Sequence, residues 1–286
     1  MIMTILVDGK KLSLELRDSI KEYIIQQEKS PSLHIIYIGS DPVIDNFVKY
    51  KEIFGAFVGA EVVIHRLGAD ITLEEAIAYV EKHQQDADGV IIQLPLPEHL
   101  DRDMLLNSVD PGKDIDVLAE KTRNNFIQNK TDFFPPVTGA IAYIAQQHDV
   151  DFKSFKTLIV GNGTLVGYPT VLWMDREKYH YTLVDKQTDI YVLHQLMNDS
   201  DIIISGVGQP HMIKDFFIKE GVIIFDAGTS ESGKKIIGDV HPDAIKKASI
   251  MTPVPGGIGP LTIAILYNNL LHAAYADYDR NIYTNS

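Results

Sequence analysis

The chain has 286 residues, 45% hydrophobic and 23% charged, with a formal charge of −13 and no cysteine. That acidity, with no basic stripe, argues against a nucleic-acid partner, and the missing cysteines exclude disulfides, thiolate metal sites and cysteine nucleophiles. The ten histidines are scattered without ligand spacing, so no metal is expected, and no apolar run is long enough to span a membrane. The opening Met-Ile-Met-Thr-Ile-Leu-Val-Asp-Gly-Lys lacks a basic-then-apolar signal pattern, which leaves the cytoplasm as the expected location.

Strand-length apolar runs alternate with amphipathic stretches along the chain. The first half offers strands at Leu33–Ile38, Glu61–His65 and Gly89–Gln93, with a helical pattern at Leu73–His83. A break is expected near Phe133-Phe-Pro-Pro136, followed by a helix over Ala140–Gln147. The second half offers Thr157–Val160, Tyr181–Val184, Asp201–Ile204, Val222–Asp226 and a last strand near Ser249–Thr252, with a helix over Val192–Asn198. After Leu261 the pattern is helical, and the polar end from Asp279 reads as a loose tail. Such alternation predicts an α/β protein with parallel sheets and helices on both faces. The expected division is residues 1–138, rejoined by 262–286, and a dinucleotide-binding domain over 139–261.

Several residues carry chemistry. Asp41-Pro42 reads as a helix start, and Val43, Phe47, Lys51, Phe54 and Val58 then form one apolar stripe with a lysine at its centre. Such a lysine either snorkels its ammonium past its neighbours or sits in a cleft where desolvation lowers its pKa. Gln93 ends a buried strand ahead of Leu94-Pro95, at the strand end where α/β proteins bind ligands. Lys113-Asp-Ile-Asp116 places two carboxylates in a loop, either solvated or functional.

Gly161-Asn162-Gly163-Thr164-Leu-Val166-Gly167 follows a strand and opens a helix, whose unpaired N–H groups suit a pyrophosphate. Gly161 and Gly163 are read as permitting a tight turn and close approach of a ligand. Asp185 closes the next strand 185 − 161 = 24 positions on, about where such folds place an acid on the adenosine ribose. Met251-Thr-Pro-Val-Pro-Gly-Gly-Ile-Gly-Pro-Leu-Thr262 is a second, proline-stiffened glycine loop.

Taken together these segments resemble the methylenetetrahydrofolate dehydrogenase/cyclohydrolase family, in order over almost the whole chain. Thr252-Pro-Val-Pro-Gly-Gly-Ile-Gly-Pro-Leu-Thr262 is close to the family's T-P-V-P-G-G-V-G-P-M-T, and Val90-Ile-Ile-Gln-Leu-Pro-Leu-Pro97 is similar to its V-Q-L-P-L-P, with Ile92 at the valine. Lys113–Asp116 is similar to K-D-V-D, Asp201–Pro210 to a loop over the cofactor, and Asp8-Gly9-Lys10 to the opening D-G-K. The resemblance implies two domains with a cleft between them, folate on the first and NAD(P) on the second, a C-terminal helix returning to the first domain, and a homodimer. It implies that Lys51 is catalytic, that Gln93 tunes it, and that Asp116 hydrogen-bonds the pterin. Phe47, Leu94, Pro95, Pro255, Gly256 and Gly257 would line the folate, and Gly161, Asn162, Gly163, Thr164, Val166, Asp185, Lys186, Gly206 and Gly208 the dinucleotide.

Four departures stand out. Phe47 replaces a tyrosine, Val117 a glycine, Pro136-Val-Thr-Gly139 the family's P-C-T-P, and Gly161-Asn162-Gly163 its G-R-S. The first removes a hydroxyl beside Lys51. The last removes an arginine, which favours NAD over NADP. The expected activity is oxidation of methylenetetrahydrofolate followed by cyclohydrolase conversion to formyltetrahydrofolate. The alternatives are a member with one activity and a silent nucleotide-binding homologue serving as a regulatory or assembly subunit. A generic 2-hydroxy-acid dehydrogenase would want a histidine–acid or arginine constellation, which the sequence does not mark.

Overall fold

A computed structural model describes residues 3–232 and 235–283. The chain divides into two compact units: Leu14–Pro136 with Ile263–Arg280, and the chain through Ser13 with Val137–Thr262 and the residues from Asn281. Among the described residues, no helix is long and apolar enough to cross a membrane.

The first unit holds a three-stranded parallel sheet in the order Glu61–Leu67, Ser32–Ile38, Gly89–Ile92. Ser32–Ile38 is buried at every position, as a central parallel strand covered on both faces should be. The helix Pro42–Val58 starts where the Asp41 carboxylate accepts from Val43 N–H at 2.7 Å and Ile44 N–H at 3.2 Å, and stops at Gly59 with φ 90°. Leu73–His83 opens on a capping box between Thr72 and Glu75.

The second unit holds a six-stranded, all-parallel sheet in the order Ile5–Leu6, Ile250–Met251, Ile223–Asp226, Ile202–Ser205, Thr157–Val160, Tyr181–Val184. The four inner strands are buried throughout, and the edge strand Tyr181–Val184 is buried only at Val184. Strand order reverses beside Thr157–Val160: the chain goes first to Tyr181–Val184 on one side, then to Ile202–Ser205 on the other. Open α/β sheets bind ligands at the carboxyl ends beside such a reversal.

Several elements differ from expectation. The strand Ile5–Leu6, the helix Gly9–Ile25 and the hairpin Ser230–Ser232 with Lys235–Ile237 appear in addition. The helix placed at Ala140 starts at Pro136, where a fixed φ and a missing N–H suit a first turn. The last helix is Ile258–Ala274, not 262–286, and residues 275–283 are non-helical. Of the tail expected to be loose, residues 284–286 lie outside those described.

Candidate active site

Lys51 and Gln93 come from different elements and meet. Gln93 follows the strand Gly89–Ile92, and its backbone N–H donates to Ile36 O at 2.9 Å, extending the ladder by one residue. Lys51 Nζ donates to Gln93 Oε1 at 2.7 Å, and Gln93 Nε2 donates to Leu94 O at 2.8 Å. The second bond fixes which end of the amide faces the lysine. Tyr267 O–H donates to the Lys51 carbonyl at 2.7 Å, and its ring stacks on Phe54, centroids 4.8 Å apart.

Burial pushes the Lys51 amine below its ordinary pKa, against the opposing pull of the Asp116 charge. Burial pushes Asp116 up to about 6, opposed by Lys51 and reinforced by the like charge of Asp114. Both groups are therefore drawn towards their neutral forms, which is what proton transfer near neutrality requires. The cleft reading of Lys51 is the one this geometry favours over snorkelling.

The structure decides two points that the sequence leaves open. The apolar stripe is not buried along its length: Phe54 and Val58 are buried, but Val43 is 38% and Phe47 45% exposed. The helix buries Val48, Phe54, Gly55 and Val58, and Gly55 lies against Val62 and Tyr267. Phe47, one turn before Lys51, shares its face and is exposed. The two acids of Lys113–Asp116 are not a solvated pair. Asp114 is buried and accepts from Leu118 N–H at 3.3 Å and Ala119 N–H at 2.8 Å, while Lys113 Nζ donates to Gln84 O. Asp114 thus satisfies backbone at the head of the helix Glu120–Ile127, whose own N-cap, Ala119, has no side chain to do so. Asp116 is left as the acid available to a ligand. Leu94-Pro95 follows Gln93 with a cis peptide bond.

The residues expected to hold the dinucleotide lie in the other unit, at the reversal of strand order. Gly161 ends Thr157–Val160 with φ +94°, a conformation that disfavours any side chain, and its N–H donates to Val184 O at 2.8 Å. That bond places Asp185 next to the glycine loop. The turn belongs to Gly161 alone: Gly163 has no positive φ, and its neighbourhood is open. Helix Gly167–Glu177 then begins at Val166 with no side-chain cap. The loop Gly206–Gly208 follows Ile202–Ser205 and touches the first loop, Gly206 against Val166 and Val207 against Gly161. Asn162 and Asp185 are exposed, and Thr164 and Val166 half-buried. The Asp185 carboxylate accepts from Gln187 N–H at 2.9 Å, which holds it at the strand end beside Lys186. Two loops touching at a strand reversal, one opening an uncapped helix, fit a dinucleotide pyrophosphate.

Pro255, Gly256 and Gly257 belong to this second unit as well. Gly9 lies against the Gly257 carbonyl, so the Asp8-Gly9-Lys10 segment packs on this loop. Two buried acids that no motif marks, Asp226 and Asp239, organise the loops here by accepting backbone N–H groups. Their partners are up to 34 residues away, so no local spacing marks them.

Residues 7–116 match the family model of the tetrahydrofolate dehydrogenase/cyclohydrolase catalytic domain, and residues 135–278 that of its NAD(P)-binding domain. The chain is 35% identical over 280 residues to a bifunctional FolD protein of Nitratiruptor sp., covering 94% of this chain and 97% of the relative. It is 32% identical to that of Agathobacter rectalis, covering 95% and 99%. Among solved structures, the bifunctional FolD enzyme of Campylobacter jejuni superposes with a TM-score of 0.90 at 28% identity, over 95% of this chain and 98% of that one.

Proposed function

Because the chain belongs to the tetrahydrofolate dehydrogenase/cyclohydrolase family, we infer that Lys51, Gln93 and Asp116 act on the folate and that the Gly161 and Gly206 loops hold the cofactor. The enzyme oxidises methylenetetrahydrofolate to methenyltetrahydrofolate with a nicotinamide dinucleotide, then hydrolyses that product to formyltetrahydrofolate. The observation that carries the residue assignment is the Lys51–Gln93 hydrogen bond of 2.7 Å on a lysine that burial makes less basic. When bound, the dinucleotide supplies the hydride acceptor, and the protein's part in that step is positioning. Hydrolysis needs more. Water adding to the methenyl carbon must lose a proton, and the departing nitrogen must gain one. A neutral Lys51 amine, oriented by Gln93, can accept the first and return it. Asp116 holds the substrate, and Phe47, Leu94 and Pro95 of the same unit line the folate. Absorbance tests this directly, with methenyltetrahydrofolate and reduced dinucleotide followed in one assay. Hydride transfer without hydrolysis in the parent would remove Lys51 from its role.

The cofactor reading favours NAD. A 2′-phosphate carries about −1.5 to −2 charges, and Asp185 stands at the strand end where it would repel that group while accepting from a free ribose diol. One unit charge at ~5 Å and an effective dielectric of ~20 gives roughly 3 kcal/mol, an upper bound at a site open to water. Asn162 offers no compensating charge, and Lys186 offsets part. The expected result is a higher kcat/KM with NAD than with NADP. A clear preference for NADP would refute it and assign Lys186 to the phosphate.

Phe47 bears on the balance of the two steps. A tyrosine there would offer a hydroxyl to Lys51 or the attacking water, a bond worth about 0.5–1.5 kcal/mol. The apolar ring instead favours the neutral amine. The missing bond acts on positioning and should dominate. Methenyltetrahydrofolate is expected to accumulate in the parent, and Phe47→Tyr to speed its hydrolysis. No build-up and no gain would mean that another group supplies the hydroxyl. The family likeness also supports a homodimer working in the cytoplasm, which sedimentation velocity and cell fractionation test.

A further inference from the structure

Three donors of the segment Ser205–Gln209 converge on one carboxylate that is wholly buried, Asp239. Ser205 Oγ donates to its Oδ2 at 2.7 Å, Val207 N–H to the same oxygen at 2.9 Å, and Gln209 N–H to Oδ1 at 2.7 Å. The donors fall at every second residue, so the two residues between them, Gly206 and Gly208, are fixed on both sides. Asp226 repeats the device one step behind. Its Oδ1 accepts from Gly228 N–H at 3.0 Å and Asp239 N–H at 3.1 Å, and its Oδ2 from Val240 N–H at 2.9 Å. The two turns interlock: a Cβ on Gly228 would fall 2.1 Å from Asp239 Cγ, and one on Gly238 2.1 Å from Asp226 Oδ2.

We propose that Asp239 is a positioning residue for the dinucleotide, setting the shape of the Gly206–Gly208 loop through its backbone, and that Asp226 positions Asp239 in turn. This rests on the reading of that loop as cofactor-binding. A carboxylate suits the task because it only accepts, and it accepts from all three donors at once. An asparagine would turn an N–H2 group towards at least one of them.

The test compares Asp239→Asn, Ser205→Ala and Gly206→Ala with the parent in two assays: dehydrogenase turnover against dinucleotide concentration, and hydrolysis of added methenyltetrahydrofolate without dinucleotide. Asp239→Asn should raise the dinucleotide KM roughly 10- to 100-fold, the scale of charge-assisted bonds, with a smaller change in kcat. Ser205→Ala, which removes one bond of the three, should raise it severalfold. Hydrolysis should stay near the parent rate in both. Gly206→Ala drives a methyl into Val166 and moves the loop directly. If only Gly206→Ala raises the KM, the proposal falls while the cofactor reading stands. If none of the three does, the cofactor reading of the loop falls. If Asp239→Asn lowers both activities together and Ser205→Ala is silent, Asp239 supports the fold and does not position the loop. Should Asp239→Asn fail to fold, Ser205→Ala decides the matter.

Discussion

Lys51→Met is expected to lower methenyltetrahydrofolate hydrolysis by roughly 10²–10⁴-fold, the usual worth of general acid–base help, while leaving much of the hydride transfer. Methionine is also unbranched and fills a similar volume, so the substitution mainly removes the amine. The amine is the group that matters, because burial makes it less basic and Gln93 Oε1, 2.7 Å away, aims it. Hydride transfer breaks a C–H bond without a proton-transfer partner, so it depends on how the substrate is held. The two rates should therefore separate in one variant. Stopped-flow absorbance of the methenyl species measures the first, and reduced dinucleotide the second. Equal hydrolysis in variant and parent would return Lys51 to a snorkelling role.

The Asp116 carboxylate should impose a pH dependence on folate binding. In the role proposed for it, Asp116 accepts charge-assisted hydrogen bonds from the pterin only when ionised, and burial holds it protonated up to about 6. The folate KM is therefore expected to fall as pH rises through about 6 and to level off above. Asp116→Ala should weaken folate binding and turnover with dinucleotide binding near normal, and Asp116→Asn should flatten the profile. Linkage gives a second readout. A folded-state pKa raised above its unfolded value stabilises the fold fully below that lower value, and the contribution is lost as pH rises through about 6. The displacement from 3.8 to about 6 corresponds to at most about 3 kcal/mol. Asp116→Asn should thus melt higher than the parent above pH 7 in the absence of folate. An unchanged KM profile and an unchanged Tm would leave Asp116 a bystander.

Local chemistry was legible wherever the cause of a structure is itself local. Asp41-Pro42 starts its helix, Leu73–His83 has the expected bounds, and Thr157–Val160 runs into Gly161 as its apolar run and glycine require. The helix Gly9–Ile25 is written in the four-residue recurrence of Leu16, Ile20 and Ile24, all buried, and its polar surroundings mask it. Other features depend on what arrives from elsewhere. The spacing of Val43, Phe47, Phe54 and Val58 defines a face but not how much of it is covered. Asp114 and Asp116 look alike in sequence and part only because Asp114 turns inward to Leu118 and Ala119. Asp239 holds amides of a loop some thirty residues earlier, and Asp226 those of Asp239 and Val240, so no local motif marks either. Lys51 and Gln93 were separately legible, 42 positions apart, and only the sheet brings them together.

The unit that carries Lys51 is discontinuous in the chain, and this has a consequence for its synthesis. Asn269, fully buried, donates through Nδ2 to Ile115 O at 2.8 Å and Phe134 O at 2.7 Å, and its Oδ1 accepts from Phe134 N–H at 3.0 Å. With Tyr267 on the Lys51 carbonyl, these are the clasps that close Leu14–Pro136. They reach the ribosome's exit only after the intervening Val137–Thr262 has been made. At about 5–20 residues per second, that delay is roughly 6–25 s. During it the nascent folate unit has its three parallel strands but not the helix that seals them. The dinucleotide sheet, whose last strands Ile223–Asp226 and Ile250–Met251 precede that helix in the chain, is complete first. The half of the enzyme that is translated earlier is the half that finishes folding later.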